Sequence, residues 1–206
     1  GPSAISAVTY GTKKIKPVNK VIGPGNQFVS AAKKEVSGDI GIEAMTAGPS
    51  EVLIVADKSS NPEWLASDLL GQAEHDQLAQ CILISKDKNI LEKTKKEVFE
   101  QLKNLPRSSI AKKSLMMNGI LIYANSDKKI IEITNKIGPE HLELNVKNYK
   151  SFVAKIKNAG SVCLGKYAVM AMTDYGAPGS NHVLPTDSSS KYSSGLNVSE
   201  FMKKIS

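Results

Sequence analysis

The chemistry in this chain gathers around its three histidines. His75 closes the run Gly71-Gln-Ala-Glu-His75, three residues after Gln72. At about 100° per residue, those two side chains share one helix face. A carbonyl oxygen and an imidazole on adjacent turns can reach one metal ion. Glutamine is an uncommon zinc ligand, and a polar helix end capped by its own side chains is spelled the same way. Glu140 and His141 are neighbours in Gly138-Pro-Glu-His141-Leu-Glu-Leu144. An imidazole titrates near neutrality and suits general acid–base work, and a carboxylate beside it can activate water. The plainer reading is a solvated turn after a helix. Asp174 and His182 share a Gly-rich stretch, Asp174-Tyr-Gly-Ala-Pro-Gly-Ser-Asn-His182. There Asp174 suits a metal and His182 a ligand, unless the stretch is an ordinary surface loop.

Two shorter signals accompany these. Ser50, in Gly48-Pro-Ser-Glu-Val52, places a hydroxyl just before an apolar run. Gly23-Pro-Gly-Asn26 follows one apolar run and opens a helical one. Glycines there let the backbone approach a ligand, and a helix N-terminus favours anionic groups. The stretch is not the full G-x-G-x-x-G fingerprint, so as a dinucleotide motif it is weak.

These residues need a scaffold, and the chain spells one. Strand-length apolar runs cover Val18–Ile22, Val52–Ala56, Cys81–Ser85, Ile120–Tyr123 and Ser161–Leu164. Short, apolar runs of this kind match buried strands of a parallel sheet. Helical patterns fall between them: Gln27–Val36, a helix capped by Asn61 with Pro62 at its first turn and running to about His75, Ile90–Leu105, Ile110–Met117, Lys128–Ile137 and Tyr149–Ala159. The first of these presents Phe28, Ala31, Ala32 and Val36 as its apolar face. The alternation predicts an α/β fold with right-handed crossovers. After Gly165 the periodicity is lost, and only a short helix, Ser199–Ile205, is expected beyond it.

Composition excludes several classes. Hydrophobic residues make up 41% and charged residues 23%, as in an ordinary globular chain. No apolar run approaches the ~18 residues of a membrane span. The net charge of +7 comes from lysines scattered among Glu and Asp; Arg107 is the only arginine among 27 basic residues. A single arginine gives no cluster of the forks that read bases and phosphates, so nucleic acid is not an expected partner. Cys81 and Cys163 each sit in an apolar run, which predicts buried thiols and a reducing, cytoplasmic compartment.

In this order, the segments resemble histidinol dehydrogenase over nearly the whole chain. The stretches that carry the likeness are Ile22-Gly-Pro-Gly-Asn26, Ala47-Gly-Pro-Ser-Glu-Val52, Gln72-Ala-Glu-His75, Gly138-Pro-Glu-His-Leu-Glu-Leu144, Asp174-Tyr175, Asn181-His-Val-Leu-Pro-Thr186 and Ser193-Ser-Gly-Leu196. The resemblance implies an incomplete Rossmann-like parallel sheet flanked by helices. It implies oxidation of L-histidinol through L-histidinal to L-histidine with two NAD+, in a zinc-containing homodimer. Gln72, His75 and Asp174 then match zinc ligands, and the zinc positions the substrate. His141 matches the base that takes the alcohol proton, and Glu140 the residue that activates water for the second oxidation. Ser50 and His182 match substrate contacts, as do Gln72, His75, His141 and Asp174. Asn26 matches an NAD contact, while Ser3 stands where the family has a glutamine that touches NAD. The implied division is residues 1–46 as the end of an NAD-binding domain, 47–190 as the main domain, and 191–206 as the start of a C-terminal segment. The family's chain starts earlier and runs on to a tail that donates a fourth zinc ligand across the dimer. This chain is therefore expected to be a portion with little activity alone and with exposed apolar surface where further segments would pack. The alternative is a non-catalytic relative or binding module that keeps a partial zinc site. A zinc hydrolase or an anion-binding module has less support in the residues.

Overall fold

The computed structural model describes residues 1–43, 48–174 and 183–206, with Asp174 by its backbone alone. Its centre is a sheet of five parallel strands in the order β5-β4-β3-β6-β7. These strands are β3 (Glu51–Ala56), β4 (Gln80–Ser85), β5 (Gly119–Tyr123), β6 (His141–Asn145) and β7 (Ser161–Leu164). Successive strands β3, β4 and β5 move one way, and the order then reverses to place β6 and β7 on the other side of β3. An α/β architecture with a parallel sheet flanked by helices is what the alternation of periods predicted.

The two sheet faces are covered by different helices because side chains alternate along a strand. Val52, Ile54, Cys81 and Leu83 pack with Leu65, Leu69 and Leu70 of α3 (Pro62–Ala73) and with Ile90, Leu91 and Val98 of α4 (Lys88–Leu102). The short helix α5 (Ser108–Asn118) adds Ala111 to that layer. On the other face, Leu53, Val55, Ile82, Leu142 and Leu144 meet Ile130 of α6 (Asp127–Ile137) and Phe152 of α7 (Tyr149–Val153). The predicted cap of α3 is in place: the Asn61 side chain accepts the N–H of Glu63 at 2.8 Å. Both cysteines are free and buried, and burial pushes each thiol up to about 12.

A smaller unit precedes the sheet. Helices α1 (Pro2–Tyr10) and α2 (Gln27–Glu35) lie with a parallel pair of two-residue strands, β1 (Lys20–Val21) and β2 (Gly41–Ile42). Ile5, Val36 and Ile40 form its own small core. The expected boundary at residues 46 and 47 falls outside the described residues. Helix α8 (Met170–Asp174) and two 3-10 turns complete the order.

Several elements differ from expectation. His141–Asn145 was expected as a turn and is instead a fully buried central strand. Helix α1 and strand β2 carried no periodic signal. Helix α7 stops at Val153, and the terminal helix is only a 3-10 turn at Val198–Phe201. Helix α3 ends at Ala73, so His75 stands in the turn beyond it. On α2 the expected apolar face is met only in part: Val36 is buried and Ala32 packs beside it, but Phe28 and Ala31 are exposed, while Lys33 is buried. Apolar side chains lie exposed at Met116, Met117, Ile120, Leu121 and Tyr123 on the β5 edge, and at Phe201, Met202 and Ile205. Among the described residues no helix is long and apolar enough to cross a membrane.

Candidate functional site

The candidate residues collect at the amino ends of β3 and β6. Register pairs Val52 with His141, so the residues just before β3 and at the start of β6 emerge side by side. Helix α6 closes on Gly138 in the left-handed conformation, φ 61°, and its N–H caps the Thr134 carbonyl. The chain then turns through Pro139 and Glu140 into β6. Glu140 and Glu51 clamp each other across this junction: the Glu51 N–H donates to a Glu140 carboxylate oxygen at 3.1 Å, and the Glu140 N–H donates to Glu51 at 3.3 Å. Burial raises the Glu51 carboxyl, opposed by the backbone N–H groups that it accepts from.

His141 is 9% exposed, and its ring is oriented from both sides. Nδ1 lies 2.9 Å from the hydroxyl of Ser161, the first residue of β7. Nε2 lies 3.7 Å from a Glu140 carboxylate oxygen. Gly160 makes this approach possible. A Cβ there would meet the Glu140 carbonyl oxygen at 2.6 Å and the Pro185 ring at 3.1 Å. Gly160→Ala is expected to cost about 1–3 kcal/mol, because the displaced atom is backbone. Chemical unfolding measures it, and an unchanged midpoint would show that the β6–β7 entry can relax.

A cavity of about 440 Å³ opens here between the main sheet and the small unit. Ser50, His75 and Glu140 line it from the sheet side, and Gly23, Pro24 and Gly25 from the other. Val183, Leu184 and Thr186 cross it. That strap is tied down: Thr186 Oγ1 accepts the Gly48 N–H at 2.7 Å, and Ser190 Oγ donates to the Gly138 carbonyl at 2.9 Å. Asn26 stands beside the cavity, exposed, with its side-chain oxygen capping α2 through the N–H groups of Phe28 and Val29 at 3.1 Å. Gln72 is 2% exposed, and its carbonyl oxygen is buried without a hydrogen-bond donor. One turn on, His75 is exposed. Among the described residues no three His, Cys, Asp or Glu side chains cluster as metal ligands. A stranded glutamine oxygen beside a histidine is nevertheless a donor pair that a cation would satisfy. Asp174 ends α8, with its side chain outside the described residues. His182 lies outside them altogether, as do Tyr175 and Asn181.

Sequence reasoning missed four charged residues near this site. Lys33 of α2 and Glu43 form a buried ion pair. The same ammonium donates to the Gly23 carbonyl, and Glu43 accepts the Gly23 N–H at 3.3 Å, so the pair pins the Gly23 loop. Asp68 of α3 and Glu143 of β6 form the other pair. Burial first, and Asp68 second, push the Glu143 carboxyl up to about 8; burial pushes Asp68 up to about 6. A carboxyl whose folded value lies above its unfolded one keeps a proton that the unfolded chain has lost. Its contribution to stability is whole below the unfolded value near 4.5 and is lost as pH rises through 8. Urea unfolding should therefore show stability falling by a few kcal/mol from about pH 5 to about pH 9, with a shallower fall in Glu143→Gln. A flat profile in the parent chain would refute this.

The sequence pattern of histidinol dehydrogenase matches residues 1–206. A histidinol dehydrogenase of Pelagibacter ubique is 73% identical over 206 residues, covering 100% of this chain and 48% of the relative. One from Listeria monocytogenes is 48% identical over 204 residues, covering 99% and 47%. The crystal structure of histidinol dehydrogenase from Elizabethkingia anophelis superposes with a TM-score of 0.92 at 44% identity, over 98% of this chain and 46% of that one. A γ-glutamyl phosphate reductase from Thermotoga maritima shares the fold at a TM-score of 0.53 and 15% identity, over 82% of this chain and 46% of that one. The chain spans about half the length of the curated relatives it matches.

Proposed function

Because the chain belongs to the histidinol dehydrogenase family, we propose that it supplies the metal-binding and acid–base half of an enzyme that oxidises L-histidinol through L-histidinal to L-histidine with two NAD+. The observation that carries this reading is the Glu140–His141 pair, oriented at the buried start of β6, with Glu140 lining the same cavity as Ser50 and His75.

The residues divide the work as follows. Ser161 holds Nδ1 of the His141 ring in place, and Nε2 takes the alcohol proton in each oxidation. The imidazolium so formed lies 3.7 Å from the Glu140 carboxylate, whose charge stabilises it. For the second oxidation the aldehyde must be hydrated, and Glu140 activates the water. Gln72, His75 and Asp174 would hold zinc, which supplies a Lewis-acidic anchor for the substrate's imidazole and amine. Ser50 and His182 contact the substrate. Asn26, whose oxygen is engaged in capping, offers its amide N–H to NAD+. Residues 1–46 serve the NAD side and residues 47–190 the reaction. A cytoplasmic homodimer completes the reading.

The test grafts this chain into the Pelagibacter ubique relative in place of the segment it matches, and follows NADH formation from L-histidinol with zinc present. Turnover that disappears in a Glu140→Ala, His141→Ala double variant supports the proposal. Equal rates in both would overturn it.

A further inference from the structure

The face of β6 that carries His141 also carries Glu143, since alternate strand residues share a face. Glu143 is 1% exposed. One of its carboxylate oxygens accepts the N–H of Met170, the first residue of α8, at 2.7 Å. The other is buried without a donor. Asp68, on α3, also has a buried oxygen without a donor, and its carboxyl group is close enough to that of Glu143 for the two to interact electrostatically. Two carboxylates offer only acceptors, so they cannot bond to each other bare, and their like charges repel in a buried site. A single proton between them satisfies both stranded oxygens and leaves one charge, which the Met170 N–H helps to hold. Neither residue has a part in the proton transfers above.

The pair sits where three site-bearing elements meet. Asp68 lies one turn before Gln72 on the same face of α3, and the helix ends at Ala73, two residues before His75. Glu143 lies two residues after His141 on β6. Met170 begins the helix that ends at Asp174.

We propose that Asp68 and Glu143 are positioning residues, a carboxyl–carboxylate pair sharing one proton that locks α3, β6 and the start of α8 together and so sets the Gln72–His75 turn against the end of α8 that carries Asp174. Its consequence for metal binding rests on the zinc reading of the preceding section; the pair and its lock on α8 do not. The pair also dictates which substitutions it tolerates. Glu143→Gln keeps an acceptor for Met170, donates an amide N–H to Asp68 and preserves the single negative charge. Asp68→Asn does the same from the other side. Glu143→Leu and Asp68→Ala remove the link.

Three measurements on the chain itself test this. Infrared spectroscopy at neutral pH should show the C=O stretch of a buried carboxylic acid, lost in both Glu143→Gln and Asp68→Asn. Hydrogen exchange at the Met170 amide should be slow in the parent, Glu143→Gln and Asp68→Asn, and about tenfold or more faster in Glu143→Leu. Zinc affinity, by competition with a chromogenic chelator, should be retained in the two amide variants and fall about 10–100-fold in Glu143→Leu and Asp68→Ala. Circular dichroism selects the variants that fold, and Asp68→Ala, at a half-buried position, stands in if Glu143→Leu does not. No carboxylic-acid band overturns the proposal, and so do leucine or alanine variants with parental exchange and affinity. If the parent chain binds no zinc, the zinc reading fails instead, and the band and the exchange rates decide on the pair.

Discussion

Replacing Glu140 and His141 one at a time should separate the two oxidations. His141→Asn removes the base that both hydride transfers need, and in the Pelagibacter ubique graft it should lower turnover by about 10²–10⁴-fold. Glu140→Gln should behave differently. It keeps the bond from the Glu51 N–H through its carbonyl oxygen, so the β3–β6 junction stays clamped. It loses the charge that activates water. The first oxidation should continue while the second stalls, and NADH formed per histidinol should fall from two towards one, with aldehyde accumulating. NADH absorbance and an aldehyde trap read both quantities in one assay. A Glu140→Gln variant that still forms two NADH per substrate would assign the water activation elsewhere.

The second large effect belongs to the Lys33–Glu43 pair. Both side chains are buried, and both bond to Gly23. Lys33→Met leaves a carboxylate stranded in a low-dielectric site, and one such loss costs about 3–5 kcal/mol. Lys33→Met with Glu43→Leu removes both charges, and the double variant should recover most of that cost. Urea midpoints of the two single variants and the double measure the coupling. Additive losses would mean that the two charges do not sense each other. The same variants report on the cavity, since Gly23 forms part of its wall.

These residues show why the sequence was only partly legible. The main sheet was read correctly where burial on both faces leaves uniform apolar runs, as in Val52–Ala56 and Cys81–Ser85. It was missed at His141–Asn145, because that strand carries His141, Glu143 and Asn145 on one face. Polar residues in a central strand look like a loop until their partners are known. Asp68 and Glu143 are 75 positions apart, and nothing local in either residue announces the other. Lys33 is one of many scattered lysines in the sequence, and its partner Glu43 lies across a turn that no periodicity describes. The candidate site was legible as ordered segments, and Ser50, His75 and Glu140 do line one cavity. Their convergence depends on β6 entering beside β3, against chain order, which local patterns do not encode.

The placement of the cavity also sets its electric field. In a right-handed β-α-β unit each helix runs back against its strands, so the amino rim of the sheet receives helix C-termini. Helix α3 ends beside Gln72 and His75, and α6 ends at Gly138, just before Glu140. Their unshared carbonyls give that wall a partial negative charge. The opposite wall is the approach to α2, whose N-terminal amides give a partial positive charge. A protein of net charge +7 thus has a cavity with two poles, one suited to a cation or protonated amine and the other to an anion. A dipolar ligand entering it would be turned to one orientation before any side chain touched it.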